Sequence, residues 1–178
     1  MRFVILGAGG FARDLYWHLR NTHPGVRVVF VDDVSETREI AIGGEVVPVV
    51  KDWRFPDGYK EFVIGVGSPK VKRILVRKAL ESGLRPGPTI IHPRALVQDP
   101  DCQIGMGGII APGCVLTTNV RAGDFVLLNL NTTIGHDAVL GDYTTCSPGC
   151  AVSGNVVLGE GVTLGTGTTV REQVTIAP

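Results

Sequence analysis
The sequence predicts an α/β, Rossmann-like half-domain followed by an all-β left-handed parallel β-helix. Strand and helix patterns alternate as far as Arg85, whereas from Ile104 onward every sixth residue is apolar. A glycine-rich segment, Gly7-Ala8-Gly9-Gly10, falls where the first strand passes into the first helix. The 178 residues are enough for two small cores. The change of period sets the expected domains at 1–85 and 89–178.

In the first half, residues 2–6 form a short apolar run, and Phe11, Leu15 and Leu19 then recur at helical spacing. Residues 26–31 and 61–66 read as a second and a third strand, and Val71, Ile74, Leu75 and Ala79 as the stripe of a second helix. A β-α-β order with short connections implies a parallel sheet covered by helices. Lys70, Lys72, Arg73, Arg77 and Lys78 read as the solvated face of the last helix, and Arg85-Pro86-Gly87-Pro88 as a hinge.

The second half repeats with a period of six. Ile104, Ile110, Leu116, Ala122, Leu128, Ile134, Leu140, Cys146, Val152, Leu158, Leu164, Val170 and Ile176 follow one another without a miss. Four residues after each of the first twelve stands a small or β-branched residue, from Gly108 and Cys114 to Thr168 and Val174. A helix does not place every sixth residue on one face. A triangular coil of three hexads does, and its coils stack at about 4.8 Å with both marked positions inward. Cys146 and Cys150 therefore read as core.

Composition narrows the partners. A formal net charge of zero gives no reason to expect nucleic acid or a membrane surface. Met1-Arg2 leads straight into the first strand, and the four cysteines include no CxxC, so we expect a cytoplasmic protein with reduced thiols. No apolar run reaches the roughly 18 residues that span a bilayer.

Together the glycine segment, the hexads and Asn129-Leu130-Asn131-Thr132-Thr133-Ile134-Gly135-His136-Asp137 resemble the bacterial sugar O-/N-acyltransferases. That group includes sialic-acid O-acetyltransferases and the acetyltransferases of nucleotide-linked 4-amino sugars. The resemblance implies acetyl transfer from acetyl-CoA to a sugar amine or hydroxyl, with no metal. It also implies a homotrimer with donor sites between neighbouring β-helices. The family's general base falls on His136, with Asp137 beside it to orient the ring. Three hexads complete one coil, so Gly154 stacks over His136 and Asn155 over Asp137. Gly154 either leaves room for a thioester and offers its N–H to the oxyanion, or merely relaxes a corner. By resemblance Asn129 holds the acceptor group and Thr166 contacts the coenzyme.

The segment Gly7 to Ala12 fits G-x-G-x-x-A, with Asp32 and Asp33 at the end of the next strand. Only one mononucleotide half precedes the β-helix, so a dinucleotide is not expected. The loop reads instead as a cradle for the diphosphate of a nucleotide sugar, with Gly9, Gly10, Gly67 and Ser68 lining it. Asp32 and Asp33 would then meet base or ribose. A tight turn without ligand is the other reading.

Two features depart from the family. Thr145 stands where a second histidine is common, and the repeat runs to Pro178 with no capping segment, from which truncated C-terminal coils are expected. These departures keep open a non-catalytic, nucleotide-sugar-binding or scaffolding trimer. A β-helix carbonic anhydrase needs three zinc histidines and is disfavoured, because the hexads contain only His136.

Overall fold
The computed structural model describes residues 1–98 and 100–178. It divides into two compact units, Met1–Val66 with Val71–Gly87, and Gly67–Lys70 with Pro88–Pro178.

The first unit is a six-stranded sheet of β1 (Arg2–Leu6), β2 (Arg27–Val31), β3 (Glu39–Ile42), β4 (Glu45–Val50), β5 (Glu61–Ile64) and β6 (Arg85–Pro86), in the order β3-β4-β2-β1-β5-β6. Helices α1 (Gly10–Thr22) and α2 (Pro69–Glu81) accompany it. Phe3 to Leu6, Val29 to Val31 and Phe62 to Ile64 are buried without a polar interruption, as expected of parallel strands covered on both faces. The sheet is mixed rather than purely parallel, since β3 and β4 pair antiparallel around Gly43-Gly44. That hairpin escaped the sequence reading because Pro48 interrupts the apolar run of β4. Arg85 and Pro86 are no free hinge. They form an edge strand on β5, and Gly87 N–H donates to Phe62. Lys72, expected on a solvated face, is 2% exposed, whereas Val71 and Ile74 are about as exposed as surface residues at 39% and 40%. The helix is thus rotated relative to its apolar stripe.

The second unit is a parallel β-helix of three five-stranded sheets, hence five coils. The inward series from Ile110 to Val170 is buried at every step, as are the small partners from Gly108 to Val162. Cys146 and Cys150 are 0% and 1% exposed, and burial raises the Cys114 thiol to about 11 and shifts Cys150 the same way. Inward threonines satisfy their hydroxyls on backbone carbonyls: Thr132 donates to Ser147 and Thr144 to Gly159.

The helix starts earlier than Ile104. Its first strands are Ile90–Ile91 and Leu96–Val97, paired with Ile109–Ile110 and Val115–Leu116 across a spacing one residue longer than three hexads. From Gln103, which pairs with Arg121, the spacing settles to three hexads. One extra residue between Val97 and Gln103 therefore hides the opening rungs from a count by sixes.

Candidate active site
Each coil turns at corners where one residue, three after the inward one, has a left-handed backbone. Asn119 (φ 55), Asp137 (φ 59) and Asn155 (φ 58) form one such column. In extended chain, neighbouring side chains leave opposite faces, so adjacency alone would not bring His136 to Asp137. The left-handed turn at Asp137 does: His136 Nδ1 lies 2.8 Å from Asp137 Oδ2. The imidazole is 58% exposed and points out of the coil. One coil below, Asn119 Nδ2 donates to the other carboxylate oxygen, Oδ1, at 2.6 Å. Asn119 first, and His136 second, hold the Asp137 carboxyl below the ordinary carboxylate range.

Gly154 stacks over His136, because Ile134 pairs with Val152 and Asn155 N–H donates to the His136 carbonyl at 2.8 Å. A Cβ on Gly154 would fall 2.5 Å from Nε2, 2.6 Å from Cε1 and 3.0 Å from Cδ2 of His136. The imidazole thus fills the space beneath Gly154 that a Cβ would need. With Nδ1 turned to Asp137, it is the Nε2 edge that meets the next rung. Among the described residues no acceptor meets the Gly154 N–H.

The other residues expected at this site sit elsewhere on the wall. Asn129 Oδ1 accepts from Leu130 N–H at 2.8 Å, which leaves its amide hydrogens free to donate. Asn129 and the exposed Thr166 lie at the corner of Leu130 and Pro148, a different edge of the triangle from His136. Thr145 is 5% exposed and spends its hydroxyl on the Gly67 carbonyl at 2.7 Å. The histidine position of the family is thus filled by a residue that anchors the Gly67 segment, while Ser68 remains exposed.

In the first unit a cavity of about 210 Å³ opens at the ends of β1, β2 and β5, lined by Gly7, Gly9, Asp33, Val66, Val71 and Leu75 among others. The chain leaves β1 toward β2 and later returns to β5 on its other side, the crevice that open α/β sheets use for ligands. The glycines divide by role. Gly7 has φ +104, and a Cβ there would meet Val66 at 2.8 Å. Gly9 and Gly10 have nothing within 4 Å of an added Cβ, so packing does not demand them. Gly9 caps α1 with no side-chain hydrogen bond, and the first turn carries no acid, leaving free N–H groups at the cavity rim.

The two aspartates are already engaged. Asp32 Oδ1 accepts from Val34 and Ser35 N–H, and Oδ2 from the Ser35 hydroxyl. Partial burial pushes its carboxyl up, but these donors and Lys51 outweigh that and lower it. Asp33 Oδ2 takes Lys78 Nζ at 2.6 Å and Trp53 Nε1 at 2.9 Å, and Lys78, then Trp53, hold its carboxyl below the ordinary value. Asp32 thus shapes its own loop, whereas Asp33 takes both of its side-chain donors on Oδ2. Sequence reasoning missed Asn119, Lys51, Trp53 and Lys78. Only Asn119 had a signal, standing one full coil before Asp137.

Residues 2–79 match the sequence profile of the PglD N-terminal domain. The chain is 30% identical over 148 residues to the GDP-perosamine N-acetyltransferase of Escherichia coli O157:H7, a match covering 80% of this chain and 66% of that protein. In structure it is similar to the acetyltransferase domain of PglB from Neisseria gonorrhoeae FA1090 in complex with acetyl coenzyme A, at 27% identity and TM-score 0.84, over 99% of this chain and 84% of that one. WeeI from Acinetobacter baumannii AYE has the same fold at 23% identity and TM-score 0.85, over 99% and 89% of the two chains.

Proposed function
The chain belongs to the hexapeptide-repeat sugar N-acyltransferase family, and we propose that it moves the acetyl group of acetyl-CoA to the amine of a nucleotide-linked amino sugar. The observation that carries this is the outward His136 ring, fixed by Asp137 and packed beneath the unpartnered Gly154 N–H. Likeness to an enzyme of GDP-perosamine and to a domain bound to acetyl coenzyme A supports the donor and favours a GDP-carried acceptor.

Asp137 accepts the Nδ1 proton of His136, so Nε2 carries the lone pair. His136 Nε2 takes a proton as the sugar amine attacks the thioester carbon, a contribution of roughly 10²–10⁴ in rate. The Gly154 N–H donates to the oxyanion, which elsewhere adds roughly 10²–10³. When the carbon–sulfur bond breaks, His136 returns the proton to the leaving thiolate, and amide and thiol are released. Asn129 and Thr166 stand on another corner, so a site using all these residues draws on two copies. We therefore place it between neighbouring copies, in the homotrimer that the family resemblance implies. The Gly9-Gly10 amides hold the acceptor diphosphate, and Asp33 with the apolar cavity wall holds its base.

Thiol release from acetyl-CoA with a panel of GDP- and UDP-linked amino sugars, and sialic acid, tests the reading. We expect acceptor-dependent release that disappears in a folded His136→Ala variant. Saturable nucleotide-sugar binding without turnover would instead favour the scaffolding trimer that Thr145 motivates.

A further inference from the structure
From the same corner we infer that Asn119 is a positioning residue, which holds the Asp137 carboxylate so that His136 keeps its proton on Nδ1 and its lone pair on Nε2. The inference rests on the proposed role of His136 but adds a residue on a different coil.

The Asp137 carboxylate needs such a holder. It is 43% exposed beside a 58% exposed imidazole, and a pair so open to water is weak and turns through several geometries. Two rotatable bonds separate the carboxylate from a backbone already committed to a left-handed turn. Asn119 removes that freedom from below. The stacking of one coil on the last puts Asn119 under Asp137, and Asp137 N–H donates to the Thr118 carbonyl at 3.1 Å. Asn119 Nδ2 then takes Oδ1 at 2.6 Å, which leaves Oδ2 for His136 at 2.8 Å. The two oxygens thus have separate partners, and the carboxylate cannot rotate without breaking both bonds. Asn119 is itself left-handed (φ 55), a conformation asparagine tolerates better than most side chains. Asparagine at this corner therefore supplies the donor without straining the backbone.

Two variants isolate the donor. Asn119→Gly keeps the left-handed corner and deletes the amide, and Asn119→Asp keeps the shape and replaces the donor by an acceptor. In ¹⁵N-histidine-labelled protein, with His136→Gln to assign the signal, we expect wild type to show His136 with its proton on Nδ1. Both variants should shift toward a mixture of tautomers, with an unchanged oligomeric state. Acetyl transfer should fall roughly tenfold in kcat, with KM for acetyl-CoA unchanged. An unaltered His136 tautomer in either folded variant overturns the inference, whatever happens to the rate. If wild type transfers no acetyl group to any acceptor, the tautomer measurement still decides the role of Asn119, and only the enzymatic reading fails.

Discussion

Replacing Gly154 by alanine separates a glycine that relaxes a corner from one that makes room for a catalytic ring. The new Cβ would stand 2.5 Å from His136 Nε2 and 2.6 Å from Cε1, where carbon and nitrogen need about 3.5 Å. The ring must therefore retreat by about 1 Å. It can do so because the imidazole is 58% exposed and swings into solvent. The backbone does not resist, since Gly154 lies outside the left-handed region, and glycine to alanine there tends to stabilise by about 0.4–1 kcal/mol. We expect the Tm to stay within about 3 °C of wild type, while kcat/KM falls about a hundredfold, the usual cost of a misplacement of this size. Gly135→Ala is the contrast. Its Cβ would meet Gly154 N at 2.6 Å and Ser153 C at 2.7 Å, backbone atoms that cannot step aside, so stability should fall by about 2 kcal/mol or more. Thermal unfolding and thiol-release kinetics on both variants decide the matter. Gly154→Ala protein with activity within about threefold of wild type would refute the reasoning, and so would a Tm loss as large as that of Gly135→Ala.

Gly9→Val, at a position with nothing within 4 Å of a Cβ, should fold normally yet weaken GDP binding about tenfold or more by calorimetry; equal affinity would make the loop a plain turn. Thr145→Val removes the bond to Gly67 and should cost about 1 kcal/mol, a Tm loss of about 2–4 °C. Asp33 has a lowered pKa in the folded protein, so its stabilisation is complete above the unfolded value of 3.8 and is lost as pH falls through the folded one. The Tm gap between wild type and Asp33→Asn should accordingly be widest near pH 6 and close on approaching about pH 3; a gap that grows on acidification would contradict the assignment.

The β-helix was legible because stacking imposes its period on every coil, so each inward position from Ile110 to Val170 repeats the message. What broke the period was lost to reading: a single extra residue before Gln103 removed the two strands at Ile90 and Leu96 from the count. In the first unit, β1 and β2 announced themselves as continuous apolar runs, but the β3–β4 hairpin is half-exposed and carries Pro48, so it looks like loop. Lys72 misled for a related reason: helical spacing identifies a stripe but not its rotation about the axis. At the site, the length of one coil placed Gly154 over His136 from sequence alone. The reason for the glycine differed, because whether a ring stands beneath it depends on a rotamer, which no spacing encodes.

The left-handed corners explain why the pairing of His136 with Asp137 was only half legible. Every hexad from Gly107 to Gln173 places one residue at positive φ, and glycine or asparagine fills most of these positions, the residues that bear that conformation at least cost. Aspartate at Asp137 satisfies the backbone almost as well and brings a charge, so one position serves both the turn and the imidazole. Phe125 and Tyr143 occupy the same kind of position on another corner, where their rings stack at 5.1 Å. Positive φ therefore does not itself mark a site. What singles out Asp137 is that its left-handed turn swings its carboxylate onto the preceding side chain, and that this side chain is a histidine with open space on its solvent side. Shifting the His-Asp pair by one residue along the rung would put the aspartate outside the left-handed position and break their contact, even with both residues present.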